Sequence, residues 1–286
     1  MWKNKLCLNL MKNGISELEQ ISLYRDAGFE GFFVSWRDGV DLMALRQRAD
    51  ELGMLFQSVH APFTHAADLW RDSERAEAAL GELMRCLEEV AAARVGIMVC
   101  HAWIGFDTPD VPNASGVEYY RRLVLRASEL GVRIAFENTE GEEFLAALLN
   151  AFAEYPNVGF CLDTGHETCY NGDRDLLALY GDRLIATHIN DNLGVKDFGG
   201  KITFKDDLHL RPFDGVKDWE NFAERICRHG YTGELTFEMN LTSKPGRHEN
   251  DSYAEMPFER YLAEMYKRAC RVATLVQRAR DKGNRP

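Results

Sequence analysis

Residues 157–166 read Asn157-Val158-Gly159-Phe160-Cys161-Leu162-Asp163-Thr164-Gly165-His166. The first six suit a strand buried on both faces, as strands of a parallel sheet are. The run then ends on a carboxylate, a turn at Thr164-Gly165 and an imidazole. A buried strand has no packing reason to end this way, so its neighbours decide what the ending means.

Strand-like apolar runs recur at 5–10, 31–36, 55–60, 96–101, 132–137, 157–163, 184–189 and 234–238. Helical stretches separate them. Ala76, Leu80, Leu83, Leu87 and Val90 share one helical face, as do Leu262, Met265, Ala269, Val272 and Val276. Gly28, Gly53, Gly131 and Gly230 stand where helices stop before the next strand. Eight strand–helix units in 286 residues fit a closed (β/α)8 barrel, one TIM barrel domain over residues 1–286. An open doubly wound sheet is the other candidate. Its usual glycine-rich turn is missing, since Met11-Lys12-Asn13-Gly14 follows the first run.

Six consecutive runs, the third to the eighth, end on His60, His101, Glu137, Asp163 (with His166 beyond), His188 and Glu238. In a parallel barrel these ends converge on one mouth, where barrel active sites lie. Taken singly, a strand-end His is more often a hydrogen-bonded structural residue, and an Asp or Glu a helix cap. Six in succession make separate structural roles improbable. Carboxylates gathered in an apolar pocket repel one another, and a divalent cation resolves that. Asp207-Leu208-His209 adds an Asp-x-His pair in the long stretch 190–215. Asn138 and Asn190 follow two of these residues, as supporting hydrogen bonders or turn residues. Trp36, Phe63, Trp70 and Trp103 could wall a pocket, though aromatics near strand ends more often pack; His65 and His248 read as loop residues.

Through His60-Ala61-Pro62, His101, Phe136-Glu137-Asn138, Cys161 to His166, His188-Ile189-Asn190-Asp191, Asp207-x-His209 and Glu238, the chain resembles the xylose isomerase-like barrel superfamily along its whole length. That group includes sugar epimerases and isomerases, inosose-metabolising enzymes and endonuclease IV. The resemblance implies one divalent metal (Mn2+, Mg2+, Co2+ or Zn2+) on Glu137, Asp163, His188 and Glu238. It implies that Glu137 and Glu238 move a proton through a metal-stabilised cis-enediolate of a small sugar, keto-polyol or sugar phosphate. His166, with His60, His101 and Trp36, would contact the substrate. An endonuclease IV-like phosphoester hydrolase is the alternative, with up to three Zn2+ and His60, His101, His166, Asp207 and His209 as additional ligands. Where relatives commonly carry Pro-Gly-x-Gly, this chain has Pro212-Phe213-Asp214-Gly215, and the loop with Phe198-Gly199-Gly200-Lys201 is expanded.

The net charge of −11 and acidic mouth loops (Asp107, Asp110, Glu118, Glu140, Glu142, Glu143) disfavour nucleic acid as a partner. Lys196, Lys201, Lys205 and Arg211 could grip a phosphate or merely solvate a loop. Seven cysteines without a C-x-x-C pair, no signal-like start and no long apolar run predict a cytoplasmic protein clear of membranes. The family suggests a homodimer or homotetramer. Metal binding is expected to weaken below about pH 6, where imidazoles take up protons.

Overall fold

The computed structural model describes residues 2–71, 73–106, 108–172, 174–195 and 202–283. Its strands are β1 (Leu6–Asn9), β2 (Gly31–Ser35), β3 (Leu55–His60), β4 (Ile97–His101), β5 (Arg133–Glu137), β6 (Val158–Asp163), β7 (Leu184–His188) and β8 (Leu235–Phe237). All ladders are parallel, and the strands run in the order β7-β6-β5-β4-β3-β2-β1-β8. The two ends of this sheet meet just above β7, where Ile189 bridges Phe237; the Ile189 amide donates to Thr236 O at 2.7 Å. Lower down, the Thr187 hydroxyl donates to Glu234 O and accepts from the Thr236 amide, at 3.2 and 3.1 Å. The result is the expected (β/α)8 TIM barrel in a single domain.

The main helices are α1 (Glu17–Ala27), α2 (Leu42–Leu52), α3 (Glu74–Ala92), α4 (Ala114–Glu129), α5 (Glu142–Ala151), α6 (Thr164–Cys169), α7 (Leu176–Tyr180), α8 (Trp219–Arg228), α9 (Asp251–Ala254) and α10 (Phe258–Gly283). The apolar stripes read from the sequence on α3 and α10 are the buried faces of those helices. Gly28 ends α1 at φ 107°, a left-handed conformation, and a Cβ there would lie 2.6 Å from the Tyr266 ring. The seven cysteines are unpaired; five are buried, and Cys227 and Cys270 are half-buried. No described helix is long and apolar enough to cross a membrane.

Strand alternation positions the site. Side chains two apart on a strand share a face. Val99, Ala135, Cys161 and Ala186, with Ile97, form one buried apolar cluster. The residues two further along are His101, Glu137, Asp163 and His188. The ladder registers place His101 beside Glu137 and Asp163 beside His188. The polar groups therefore form the layer directly above an apolar plug, at the C-terminal end of the barrel.

Candidate metal centre

Glu137, Asp163 and His188 are fully buried, and Glu238, one residue beyond β8, is largely so. One ligand atom from each of the four lies within 4.8 Å of every other. His188 Nδ1 is 2.7 Å from Glu137 Oε1 and 3.0 Å from Glu238 Oε2. The His188 ring stacks on Phe33 at 4.6 Å and 10°, which fixes the direction of Nδ1. The other ring nitrogen, Nε2, is buried without a hydrogen-bond partner.

The turn expected at Thr164-Gly165 is instead the first turn of α6. Asp163 caps it, because its Oδ1 accepts from the His166 amide at 2.6 Å. Its Oδ2 accepts from Asn190 Nδ2 at 2.8 Å. Asn138 grips the same residue through its backbone: Nδ2 donates to Asp163 O, and Oδ1 accepts from the Asp163 amide. Both asparagines thus hold Asp163 in place. Gly165 makes room for this, since a Cβ there would lie 1.9 Å from Asn190 Oδ1.

The remaining histidines close around the four. His60 Nε2 and His101 Nε2 lie 3.1 and 3.3 Å from Glu137 Oε2. His60 Nδ1 donates to Ala61 O at 2.7 Å. His166 Nδ1 donates to Asn138 O at 2.9 Å, which turns Nε2 toward Asp207 Oδ2 at 3.6 Å. His209 joins Asp207 to Glu238, with Nδ1 2.9 Å from Asp207 Oδ1 and Nε2 3.4 Å from Glu238 Oε2. His209 holds φ 49°. That left-handed backbone is uncommon outside glycine and turns the ring back into the mouth.

Burial raises the pKa of any carboxyl. For Glu137 it is outweighed by the charge of His188 and hydrogen bonds from His101, His188 and His60, which hold the group well below the usual range. For Glu238 burial is likewise outweighed, by His188 and His209. Asp163 lacks such compensation; burial, with Glu137 adding to it and His166 opposing, lifts it to about 6. Burial alone would depress His188, but Glu137 and Glu238 raise it well above an ordinary imidazole. In His101 burial prevails over Glu137 and lowers the pKa to about 4.

These groups fit a divalent cation. Three buried carboxylates face one imidazole nitrogen, which carries at most one proton. Oxygen donors from Asp and Glu with one His nitrogen are what Mn2+, Mg2+, Co2+ and Zn2+ accept. The hydrogen bonds of Asn190 and Asn138 supply the outer support that orients such ligands. A second trio, Asp163, His166 and His209, also brings ligand atoms within 4.8 Å, and so does the trio His60, Glu137 and His188.

Above the four lies a cavity of about 280 Å³, lined by Glu137, Glu238, His60, His101, His166, Asp207 and His209 among others. That is near the lower limit of ~300 Å³ for small-molecule pockets. Phe63 stacks on His101 at 4.5 Å and lines the same space, with Phe106, Tyr170 and Phe204. Three larger hollows, of about 490, 510 and 600 Å³, are lined by other residues and hold no comparable cluster.

Several expected residues sit elsewhere. Trp36 does not line the cavity; its indole donates to Glu89 on α3 at 2.8 Å. Trp70 and Trp103 pack against Phe144 of α5. His65 and His248 are loop residues as read from the sequence, exposed and bonded to Asp68 and Asp251. Arg211 turns away to Asp214 and the Tyr253 ring. Lys205 is exposed and does not line the cavity. Lys196, Lys201, Asp107 and the Phe198-Gly199-Gly200-Lys201 stretch lie outside the described residues. Phe213, where relatives commonly have glycine, holds φ 73°, with its amide on Asp191 Oδ2 and Arg271 over its ring. Glu140, read as one of the acidic mouth-loop residues, lines the cavity, and so does Lys244, which had no signal in the sequence pattern. Both stand in loops, where no period marks the inward face.

A family model for the xylose isomerase-like TIM barrel matches residues 21–258. An uncharacterized protein of Sinorhizobium fredii is 34% identical over 160 residues, 54% of this chain and 45% of that protein. Among solved structures, a xylose isomerase-like TIM barrel/4-hydroxyphenylpyruvate dioxygenase fusion protein superposes with a TM-score of 0.77 at 18% identity. The superposition covers 99% of this chain and 45% of the fusion. The chain thus spans under half the length of both proteins. The IOLI protein, solved with a zinc atom, gives a TM-score of 0.75 at 17% identity, covering 94% of this chain and 98% of that one. L-ribulose 3-epimerase gives 0.72 at 15%, covering 99% and 100%. With eight parallel strands in barrel order and the family match across most of its length, the chain belongs to the xylose isomerase-like TIM barrel family.

Proposed function

We propose that the protein is a divalent-metal-dependent isomerase or epimerase of a small sugar, keto-polyol or sugar phosphate. One observation carries the reading: Glu137 and Glu238 both reach His188 Nδ1, at 2.7 and 3.0 Å, on the floor of a small cavity. Glu137, Asp163, His188 and Glu238 would hold the cation. When bound, it supplies Lewis-acid polarisation of a sugar carbonyl and its neighbouring hydroxyl, offsetting charge that develops on oxygen.

The side chains divide the remaining work. One glutamate takes the proton from the carbon beside the carbonyl, and the other returns a proton to the adjacent carbon or the opposite face. Their depressed pKa values keep both ionised at neutral pH, as a general base requires. His166 is tied at Nδ1 to Asn138 O, so its Nε2 is fixed toward the cavity to meet a substrate hydroxyl. His60 and His101 bear on Glu137 and orient it. Neighbouring folds that include L-ribulose 3-epimerase and D-psicose 3-epimerase support a sugar-processing role.

The test is hydrogen exchange from deuterated solvent into a panel of ketoses, with protein reconstituted with Mn2+. Exchange at the carbon beside the carbonyl, lost in Glu137→Gln and Glu238→Gln, supports the reading. No exchange with any ketose in metal-loaded protein overturns it.

A second reading rests on the further trios that include His166 and His209, and His60. They suit a phosphoester hydrolase with two or three zincs. Metal counting separates the two: one ion per chain supports the isomerase, and close to three supports the hydrolase.

A further inference from the structure

Lys244 is the one Lys or Arg among the described residues lining the cavity. Its ammonium lies 3.3 Å from Asp207 Oδ2, and its side chain is mostly buried. Asp207 in turn faces His166 and His209, at 3.6 and 2.9 Å. The carboxylates lining the cavity are Glu137, Glu140, Asp207 and Glu238. Glu140 is committed through Oε1 to the Gly105 amide at 2.7 Å.

A phosphate or carboxylate on a substrate needs cations or amides that are not already matched, because an anion leaving water is costly unless paired. Around this mouth the described arginines are matched, and Lys205 stands exposed outside the cavity. Arg71 pairs with Asp110, Arg174 with Glu142, Arg211 with Asp214, and Arg247 with Asp206 and Glu249. Meanwhile Glu140 adds negative potential to the cavity wall. Sugar hydroxyls suit these surroundings, since they donate to carboxylates and accept from imidazoles.

We propose that the cavity selects uncharged sugars over phosphorylated or carboxylated ones, and that Asp207 sets this choice by holding Lys244, the cavity's ammonium. The inference rests on the sugar-isomerising reading and narrows its substrate class. Asp207 acts here as a specificity residue: freed from it, Lys244 would offer an anion three donors within the cavity.

The experiment is paramagnetic relaxation of sugar protons by Mn2+ bound to the protein, which reports binding whether or not turnover occurs. The probes are D-fructose and D-fructose 6-phosphate, and 2-keto-myo-inositol as a second uncharged ketone. Wild-type protein is expected to relax the uncharged probes at concentrations ~10-fold below those needed for the phosphate ester, the scale of one charged contact. In Asp207→Asn, the released ammonium narrows or reverses that preference. Lys244→Met leaves the wild-type preference in place, which keeps the test intact if Asp207→Asn fails to fold. Tighter binding of D-fructose 6-phosphate to wild type, lost in Lys244→Met, overturns the inference but leaves the sugar reading standing. Relaxation of none of the probes overturns both.

Discussion

Asp163 and Glu167 stand one helical turn apart at the start of α6, both fully buried, and they face different company. Glu167 receives two cations. Lys217 Nζ and Arg225 both pair with it, and Lys217 also donates to Thr164 O and Thr168 Oγ1. Arg225 also reaches Asp175 at 3.2 Å, so two carboxylates meet two cations in a structural junction. Asp163 lies with Glu137 and Glu238 around the His188 imidazole, under an open cavity. The partners of these carboxylates are imidazoles: His188 at Glu137 and Glu238, His60 and His101 at Glu137, His209 at Glu238 and His166 at Asp163, groups that can give up a proton to a cation. The kind of partner, imidazoles that can lose a proton against an ammonium and a guanidinium that keep theirs, separates the cation site from the brace behind it.

The sharpest contrast is chemical. Glu137→Gln or Glu238→Gln is expected to cut solvent exchange into a ketose by ~10²–10⁴-fold, the usual worth of a positioned general base. Glu167→Gln should not approach that loss. Equal losses in all three, measured by NMR, would erase the distinction.

For stability the order inverts. Glu167→Ala leaves Lys217 buried without a carboxylate and Arg225 with Asp175 alone, and is expected to cost ~3–5 kcal/mol in urea unfolding. Glu238→Gln removes a carboxylate that His188 and His209 hold ionised and should cost less, because both imidazoles can shed their protons in metal-free protein. A Glu167→Ala midpoint equal to wild type would show that the junction is not a brace.

Metal addition sharpens the comparison further. An ion that binds only the folded state stabilises by about 2.7 kcal/mol at a hundredfold excess over its dissociation constant. Wild type and Glu167→Gln should both show a rise in Tm with Mn2+, and His188→Ala should not. A rise in His188→Ala as large as in wild type would place the ion elsewhere.

The pH dependence follows from His188. Glu137 and Glu238, overcoming burial, hold its proton well above the ordinary imidazole range. Below that raised pKa the ring is protonated, and a cation must displace the proton. Affinity for Mn2+ therefore falls as pH falls, and the fall begins above the pH near 6 expected of an unperturbed imidazole. Each displaced proton costs about 1.4 kcal/mol per pH unit. Calorimetric titrations giving the same affinity at about pH 6 and about pH 8 would contradict this.

The smallest effect belongs to Trp36. Trp36→Phe loses one hydrogen bond to Glu89, ~1 kcal/mol of stability, and should leave sugar relaxation by bound Mn2+ unchanged. A change in that relaxation would return Trp36 to the cavity wall.

The sequence carried the barrel and its polar layer because both obey a period. Alternation along β4 to β7 puts His101, Glu137, Asp163 and His188 on the face of Val99, Ala135, Cys161 and Ala186, and parallel order brings those faces together. Loop chemistry has no such period. Lys244 and Glu140 reach the cavity from irregular segments, and Trp36 at the end of β2 leaves it. The partners of Glu167 lie 50 and 58 residues further along, so nothing local marked it as a brace. The expected turn at Thr164-Gly165 became helix because Asp163 caps it, a role that a ligand reading of the same carboxylate hides.

Anomalous diffraction from crystals soaked in Mn2+ tests the central proposition most directly. The account predicts a strong peak bounded by Glu137, Asp163, His188 and Glu238, absent in His188→Ala. A map without density among those four, or with its Mn2+ peak on an outer surface of the barrel, would contradict it.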